Sequence, residues 1–173
     1  RHALRSMTFV LPTDLAGLTF VPMDQADAEE VATWRYPGIY AFYDFVADPE
    51  DHAELLDQFQ RDGAYFSARL TDIGLIGFAE LKPHDDGNAE IGLGLRPECV
   101  GRGLGAEFVE RICIWATERQ NARRLSLLVA TFNERAITVY ERAGFTRAEV
   151  ELHPSYGRSV EFLRMTRPAD ATG

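Results

Sequence analysis

The stretch Val100-Gly101-Arg102-Gly103-Leu104-Gly105-Ala106 alternates glycine with other residues and runs directly into an apolar, helix-favouring segment. Glycines at this spacing let a backbone turn sharply and aim its amides outward at a helix N-terminus, where the dipole favours an anion. Two carboxylates stand out for the opposite reason. Glu80 and Glu90 each fall inside a strand-like run of apolar neighbours, an unusual place for an ionised group. Burial raises a carboxyl pKa, which suits either residue to proton abstraction. Further on, Asn133 and Tyr140 share the segment "NERAITVYERAGF".

These groups need a scaffold to hold them. At 173 residues the chain is read as a single domain over 7–173, preceded by Arg1–Ser6 as an added or flexible N-terminal segment. Leu18–Pro22 reads as a first strand and "MDQADAEEVATW" as a helix with Ala26, Val31 and Trp34 on one face. Asp48, Pro49 and the acids behind them start a second helix that Gly63 ends. Three strands follow, "AYFSARL", "GLIGFAELKP" and "NAEIGLGL", with connections short enough to require antiparallel neighbours. A helix spans about Gly103 to Gln120, then come the buried strand "RRLSLLVAT" and a short helix with Asn133 as N-cap and Gly144 as its stop. Strands near Phe145–Leu152 and Ser159–Thr166 complete the chain. The order implies an α/β chain of the α+β type, with one mixed, mostly antiparallel sheet flanked by helices.

Composition excludes several classes. The net charge is −9 and only one of the eighteen basic residues is a lysine, Lys82, so nucleic acid is a poor partner. No run of eighteen apolar residues and no signal-peptide pattern occurs, which makes the cytoplasm the expected compartment and excludes a membrane partner. Cys99 and Cys113 have no CxxC or histidine spacing and the four histidines are scattered, so neither a metal site nor a disulfide framework is expected.

The glycines literally match G-x-G-x-x-A, the dinucleotide fingerprint. Context rejects that reading, because Arg96–Val100 separate strand from glycine and the next strand ends in Ala130-Thr131-Phe132-Asn133, without the acid that would hold a ribose. A Walker loop fails too, since Gly-Lys-Ser/Thr is absent. A pyrophosphate bound by loop amides fits what is left.

Together, the loop and the downstream Asn133, Tyr140 and Gly144-Phe145 resemble the GNAT family of acetyl-CoA-dependent N-acetyltransferases. That family's loop, Q/R-x-x-G-x-G/A, falls on Val100–Gly105, and the similarity runs from about Phe66 to Arg164. Val100 departs from it, standing where the family carries Gln or Arg; Arg102 would then supply the charge. The resemblance implies about seven strands and four helices, with the fourth and fifth strands splayed around the pantetheine arm. Leu93, Gly94, Leu95, the loop from Val100 to Ala106, Asn133, Ile137 and Tyr140 would contact acetyl-CoA. Gly92 and Gly94 would leave room for its approach, and an N–H near Leu95 would polarise the thioester. Tyr140 would protonate the leaving thiolate. Glu90 ranks ahead of Glu80 as base, because period-two counting puts it on one face with Gly92 and Gly94; Glu80 counts onto the face of Phe78 and Ile76. His153 is a weaker candidate. The aromatic run with Trp34, Tyr36 and Tyr40 falls where the family builds its acceptor pocket, and the loop His153–Ser159 would overhang it. The implied activity is acetyl transfer to a primary amine by direct attack in a ternary complex. A protein N-terminus, a polyamine and an aminoglycoside stay open as acceptors, as does a homodimer. The rivals are a non-catalytic acyl-CoA sensor and a protein whose glycine loop binds a nucleotide.

Overall fold

A computed structural model describes residues 9–155 and 157–170. Arg1–Ser6, and Tyr156 in the His153–Ser159 loop, lie outside the described residues. Seven strands form one sheet in the order β1-β2-β3-β4-β5-β7-β6. They are β1 (Thr19–Pro22), β2 (Tyr65–Leu70), β3 (Gly74–Pro83), β4 (Asn88–Leu95), β5 (Arg124–Ala130), β6 (Thr146–Ser155) and β7 (Arg158–Pro168). Every neighbouring pair is antiparallel except β4–β5, whose parallel alignment requires the crossover helix α4 (Gly105–Gln120). The other helices are α1 (Gln25–Ala32), α2 (Pro49–Leu56), α3 (Gln58–Arg61) and α5 (Glu134–Arg142).

One expected helix is thus two. The segment after Asp48 breaks at Asp57, whose extended backbone lets its carboxylate accept from the Phe59 and Gln60 amides. A side chain that caps so well competes with helix continuation. The N-caps read from the sequence are in place: Asp48 accepts from Glu50 N–H, and Asn133 from Ala136 N–H at 3.1 Å.

Apolar side chains divide into two clusters, one on each sheet face. Phe108, Val109 and Ile112 of α4 pack with Phe66, Leu81, Ile91, Leu127 and Met165 on one side. Val31 of α1 and Leu55 of α2 pack with Tyr65, Leu75 and Phe78 on the other. A bulge decides one side chain's face. The β2–β3 register passes from Ala68↔Gly77 to Arg69↔Leu75, skipping Ile76. Ile76 therefore joins the α4 side while Phe78 faces α1 and α2, and period-two counting that puts the two together is corrected by that extra residue.

Arg61 ties the α1–α2 layer to the sheet. It is 2% exposed, and its guanidinium donates to Met23 O, Leu55 O and Gln25 Oε1 at 3.0, 2.8 and 2.9 Å. Arg61→Ala strands two buried carbonyls and opens a cavity. We expect a loss of about 3–5 kcal/mol, or on the order of 10 °C in Tm by calorimetry.

Candidate active site

β4 and β5 pair only at Asn88↔Arg124, Ala89↔Leu125 and Glu90↔Ser126. Beyond Glu90, β4 stays with β3 as far as Leu95, while β5 follows β7 to Ala130. The sheet forks there. Arg96 N–H donates to Ile76 O at 2.8 Å, so the even-numbered residues of β4 turn their backbone groups to β3. By alternation, Ile91, Leu93 and Leu95 turn theirs into the gap. The fork thus presents a free strand edge.

The glycine loop follows directly. Pro97–Cys99 make a short 3₁₀ turn, and Gly101 and Gly103 take φ of +75° and +78°, which disfavour any residue with a Cβ. A Cβ at Gly101, Gly103 or Gly105 would meet nothing within 4 Å. The space in front of the loop is open. Leu104 precedes α4 without a side-chain cap, and the amides of residues 101–107 have no acceptor among the described residues. Seven consecutive free N–H groups at a helix N-terminus make an anion cradle. Arg102 is exposed beside it, Ala106 is exposed on the first turn of α4, and Leu104 is buried beneath. Replacing Gly103 with Val forces a β-branched residue into the left-handed region. A penalty of about 2 kcal/mol on the cradle's conformation predicts binding of a pyrophosphate-bearing ligand weakened roughly 30-fold by calorimetry.

Glycines 92 and 94 have a different task from the one their spacing suggested. A Cβ on Gly94 would come within 2.3 Å of the Phe78 ring, and one on Gly92 within 3.0 Å of Glu80 Oε2. Room on that face is filled by two side chains of β3, whose partners across the strands these glycines are.

The same register puts both carboxylates on one face. Glu80 lies opposite Gly92 and Glu90 opposite Lys82. Their environments differ. Glu90 sits at the last paired position of the fork and is held by Arg164 Nη1 at 2.9 Å; Arg164 also binds Glu151, which in turn meets His153 Nε2 at 3.0 Å. Arg164, whose guanidinium hydrogen bonds to Glu151, holds that carboxyl down at about 2. Glu80, on β3, lies opposite Gly92, two residues past the last β4–β5 pair, and burial pushes its carboxyl above the usual range despite Lys82 at 3.3 Å. Tyr65, its partner on β2, has its hydroxyl raised by burial and then by Glu80.

Tyr140 on α5 stacks edge-on against Phe145 at 6.1 Å, and burial raises its hydroxyl well above the ordinary tyrosine value. Nearby Asn133 donates from Nδ2 to Tyr43 Oη at 3.1 Å. Ile137 is 5% exposed and belongs to the core, as Trp34 does at 6% beside Phe78. Tyr36 and Tyr40 instead stay half-buried near the fork: Tyr36 Oη donates to Leu95 O at 2.7 Å, and Arg135 lies over the Tyr40 ring at 4.6 Å. Leu93 and Leu95 rest half-buried on the α4-side core, and Val100 is half-buried at the loop's entry. Beside the hairpin of β6 and β7 is a cavity of about 490 Å³ lined by Ala47, Asp48, Pro49, Glu50, Pro154, Ser155 and Gly157. Ser155 Oγ donates to Asp48 there at 3.3 Å.

Tyr43 and Arg164 carry no motif of their own. Arg164 had one weak signal, a lone cation alternating with Leu163 and Met165 in a strand; Tyr43 was one of several aromatics in a run. Both cysteines are buried and their thiols are pushed up by burial, Cys113 to about 12, which keeps them protonated. Among the described residues no cluster of His, Cys, Asp or Glu is arranged to hold a metal, and no helix is long and apolar enough to cross a membrane.

A forked mixed sheet with an uncapped amide loop after its fourth strand has room and donors for an extended, anionic ligand. The profile of the acetyltransferase (GNAT) domain matches residues 17–146, and the chain belongs to that family. Acetyl-CoA is the co-substrate of the class. Mycothiol acetyltransferases are among its relatives: that of Corynebacterium efficiens is 40% identical over 76 residues, 43% of this chain and 25% of that protein. That of Salinispora arenicola is 34% identical over 104 residues, 57% of this chain and 33% of that one. The chain thus spans about a quarter to a third of the relatives it matches. Among solved structures, spermidine N-acetyltransferase from Vibrio cholerae in complex with CoA and spermine has a TM-score of 0.71 at 22% identity, covering 88% of this chain and 96% of that one. A GNAT-family acetyltransferase from Bacillus anthracis has a TM-score of 0.68 at 15% identity, covering 89% and 96%.

Proposed function

We propose that this chain transfers an acetyl group from acetyl-CoA to the primary amine of a small cationic molecule, by direct attack in a ternary complex. One observation carries the reading. The free edge of β4 leads straight into seven unpartnered amides, so an extended carrier with an anionic head and amide groups along its arm meets matching donors and acceptors over its length. When bound, acetyl-CoA supplies the activated acetyl thioester; the chain's own residues bind, orient and move protons.

Glu80 takes the base role in preference to Glu90. Its carboxyl is raised by burial, which makes it a stronger proton acceptor near neutral pH, and it stands where the strands have just parted. Glu90 is committed to Arg164 and fixes the fork. Tyr140, its hydroxyl raised by burial, is protonated at neutral pH and donates from Oη to the departing thiolate. The cationic preference follows from Asp48 and Glu50 in the cavity wall and from the chain's net charge of −9. Relatives named for spermidine and mycothiol acetylation support a small-molecule acceptor.

The test is thermal shift with CoA, NAD and ATP, followed by thiol release with spermidine, an aminoglycoside and a peptide N-terminus. Stabilisation by CoA alone, with turnover greatest on spermidine, is the expected result. Binding without turnover on any amine would mean a carrier sensor, and a response to NAD or ATP alone would overturn the assignment of the loop.

A further inference from the structure

The segment 36–45 is fastened to both lips of the fork. On the β4 side, Tyr36 Oη donates to Leu95 O at 2.7 Å, and Leu95 is one of the residues whose backbone turns into the gap. On the β5–α5 side, Tyr43 Oη accepts from Asn133 Nδ2 at 3.1 Å. Phe42 packs edge-on against Phe132 at 5.5 Å and tilted against Phe162 at 6.0 Å, and Tyr40 lies under Arg135 at 4.6 Å. The segment is closed on itself by Asp44, which is 8% exposed and accepts from Tyr36 N–H at 2.9 Å. Gly38–Tyr43 between the two ties form a 3₁₀ helix, so the piece behaves as one short rigid strap.

The two polar ties share a property. Leu95 C=O is an acceptor on the β4 edge, and Asn133 Nδ2 is a donor at the opposite lip, its Oδ1 being used as the N-cap. Each is a group that an amide-bearing arm lying in the fork would use, and each is held by a tyrosine hydroxyl of the same segment.

We propose that residues 36–45 are a strap across the β4–β5 fork, released when acyl-CoA enters and displaces Tyr36 from Leu95 O and Tyr43 from Asn133. The inference rests on the fork being the CoA site. If the segment also walls the acceptor side, as the family resemblance implies for Tyr36 and Tyr40, release couples carrier binding to acceptor access. The physics is linkage. A ligand that binds only the released state loses affinity by the strap's closing equilibrium, and removing the ties returns that affinity.

The experiment is calorimetric titration of CoA into the wild type and Tyr36→Phe/Tyr43→Phe, which keeps both rings and removes both hydroxyls. The variant is expected to bind CoA roughly three- to tenfold tighter, two modest hydrogen bonds no longer being broken on binding. Hydrogen exchange on the wild type provides the second reading: amides of residues 38–45 should exchange faster when CoA saturates. Unchanged or weaker CoA binding in the variant, or protection of those amides by CoA, overturns the strap and leaves the acetyltransferase reading standing. Failure of the wild type to bind CoA at all overturns both.

Discussion

Glu80→Gln lowers kcat by roughly 10²–10⁴-fold and removes the acidic limb of the pH–rate profile, with the KM for acetyl-CoA little changed. The base must be ionised to act, so wild-type activity rises with pH through the carboxyl's raised value; the glutamine variant has nothing to titrate there. Stability separates this from misfolding. A carboxyl raised by burial is disfavoured as the anion in the fold, so its unfavourable contribution is absent below the ordinary carboxylate range and grows as pH rises through the folded value. Glu80→Gln is therefore expected to melt at or above the wild type at pH 8, while its turnover collapses. Glu90→Gln is the contrasting variant. It removes the charge that pairs with Arg164 and loosens the fork, so it loses about 1–3 kcal/mol of stability while keeping the pH limb. The ranking fails if Glu90→Gln flattens the profile and Glu80→Gln does not.

Tyr140→Phe lowers kcat by roughly 10²–10³-fold with little change in CoA affinity. Its edge-on contact with Phe145 survives the substitution, so Tm should stay within a degree or two of the wild type. Burial holds the hydroxyl protonated well past neutral pH, which is the state a donor needs. A donor's absence hurts most when the departing thiolate is most basic. The measurement is turnover with acetyl thioesters of progressively more acidic thiols. The defect should shrink along that series, and a constant defect would instead make Tyr140 a packing residue.

Local rules reached much of this architecture from the chain alone. Asp48 and Asn133 cap helices because a short polar side chain satisfies amides that no helix can satisfy itself, and that needs only neighbours in sequence. Gly101 and Gly103 reveal an anion loop for the same reason, since left-handed backbone and open amides are local properties. Asp57 obeys the same rule, but it lies within a stretch whose pattern predicts one continuous helix.

What the sequence determined by itself was therefore the order of nearly all the elements, the glycine loop and a short list of lone carboxylates. Tertiary structure set the surroundings of each. Glu80 and Glu90 are alike as lone carboxylates in apolar strands, and only the fold pairs Glu90 with Arg164, 74 residues away in sequence, while Glu80, beside Lys82, is raised by burial. Period-two counting lost Ile76 to a bulge, and Gly92 and Gly94 turned out to make room for Glu80 and Phe78. Trp34 and Tyr36 come from one aromatic run, yet one is core and the other bonds Leu95 O at the fork. A residue's partners across strands depend on register, bulges and burial, which are set by the whole fold; its capping and turn chemistry are set by the few residues beside it.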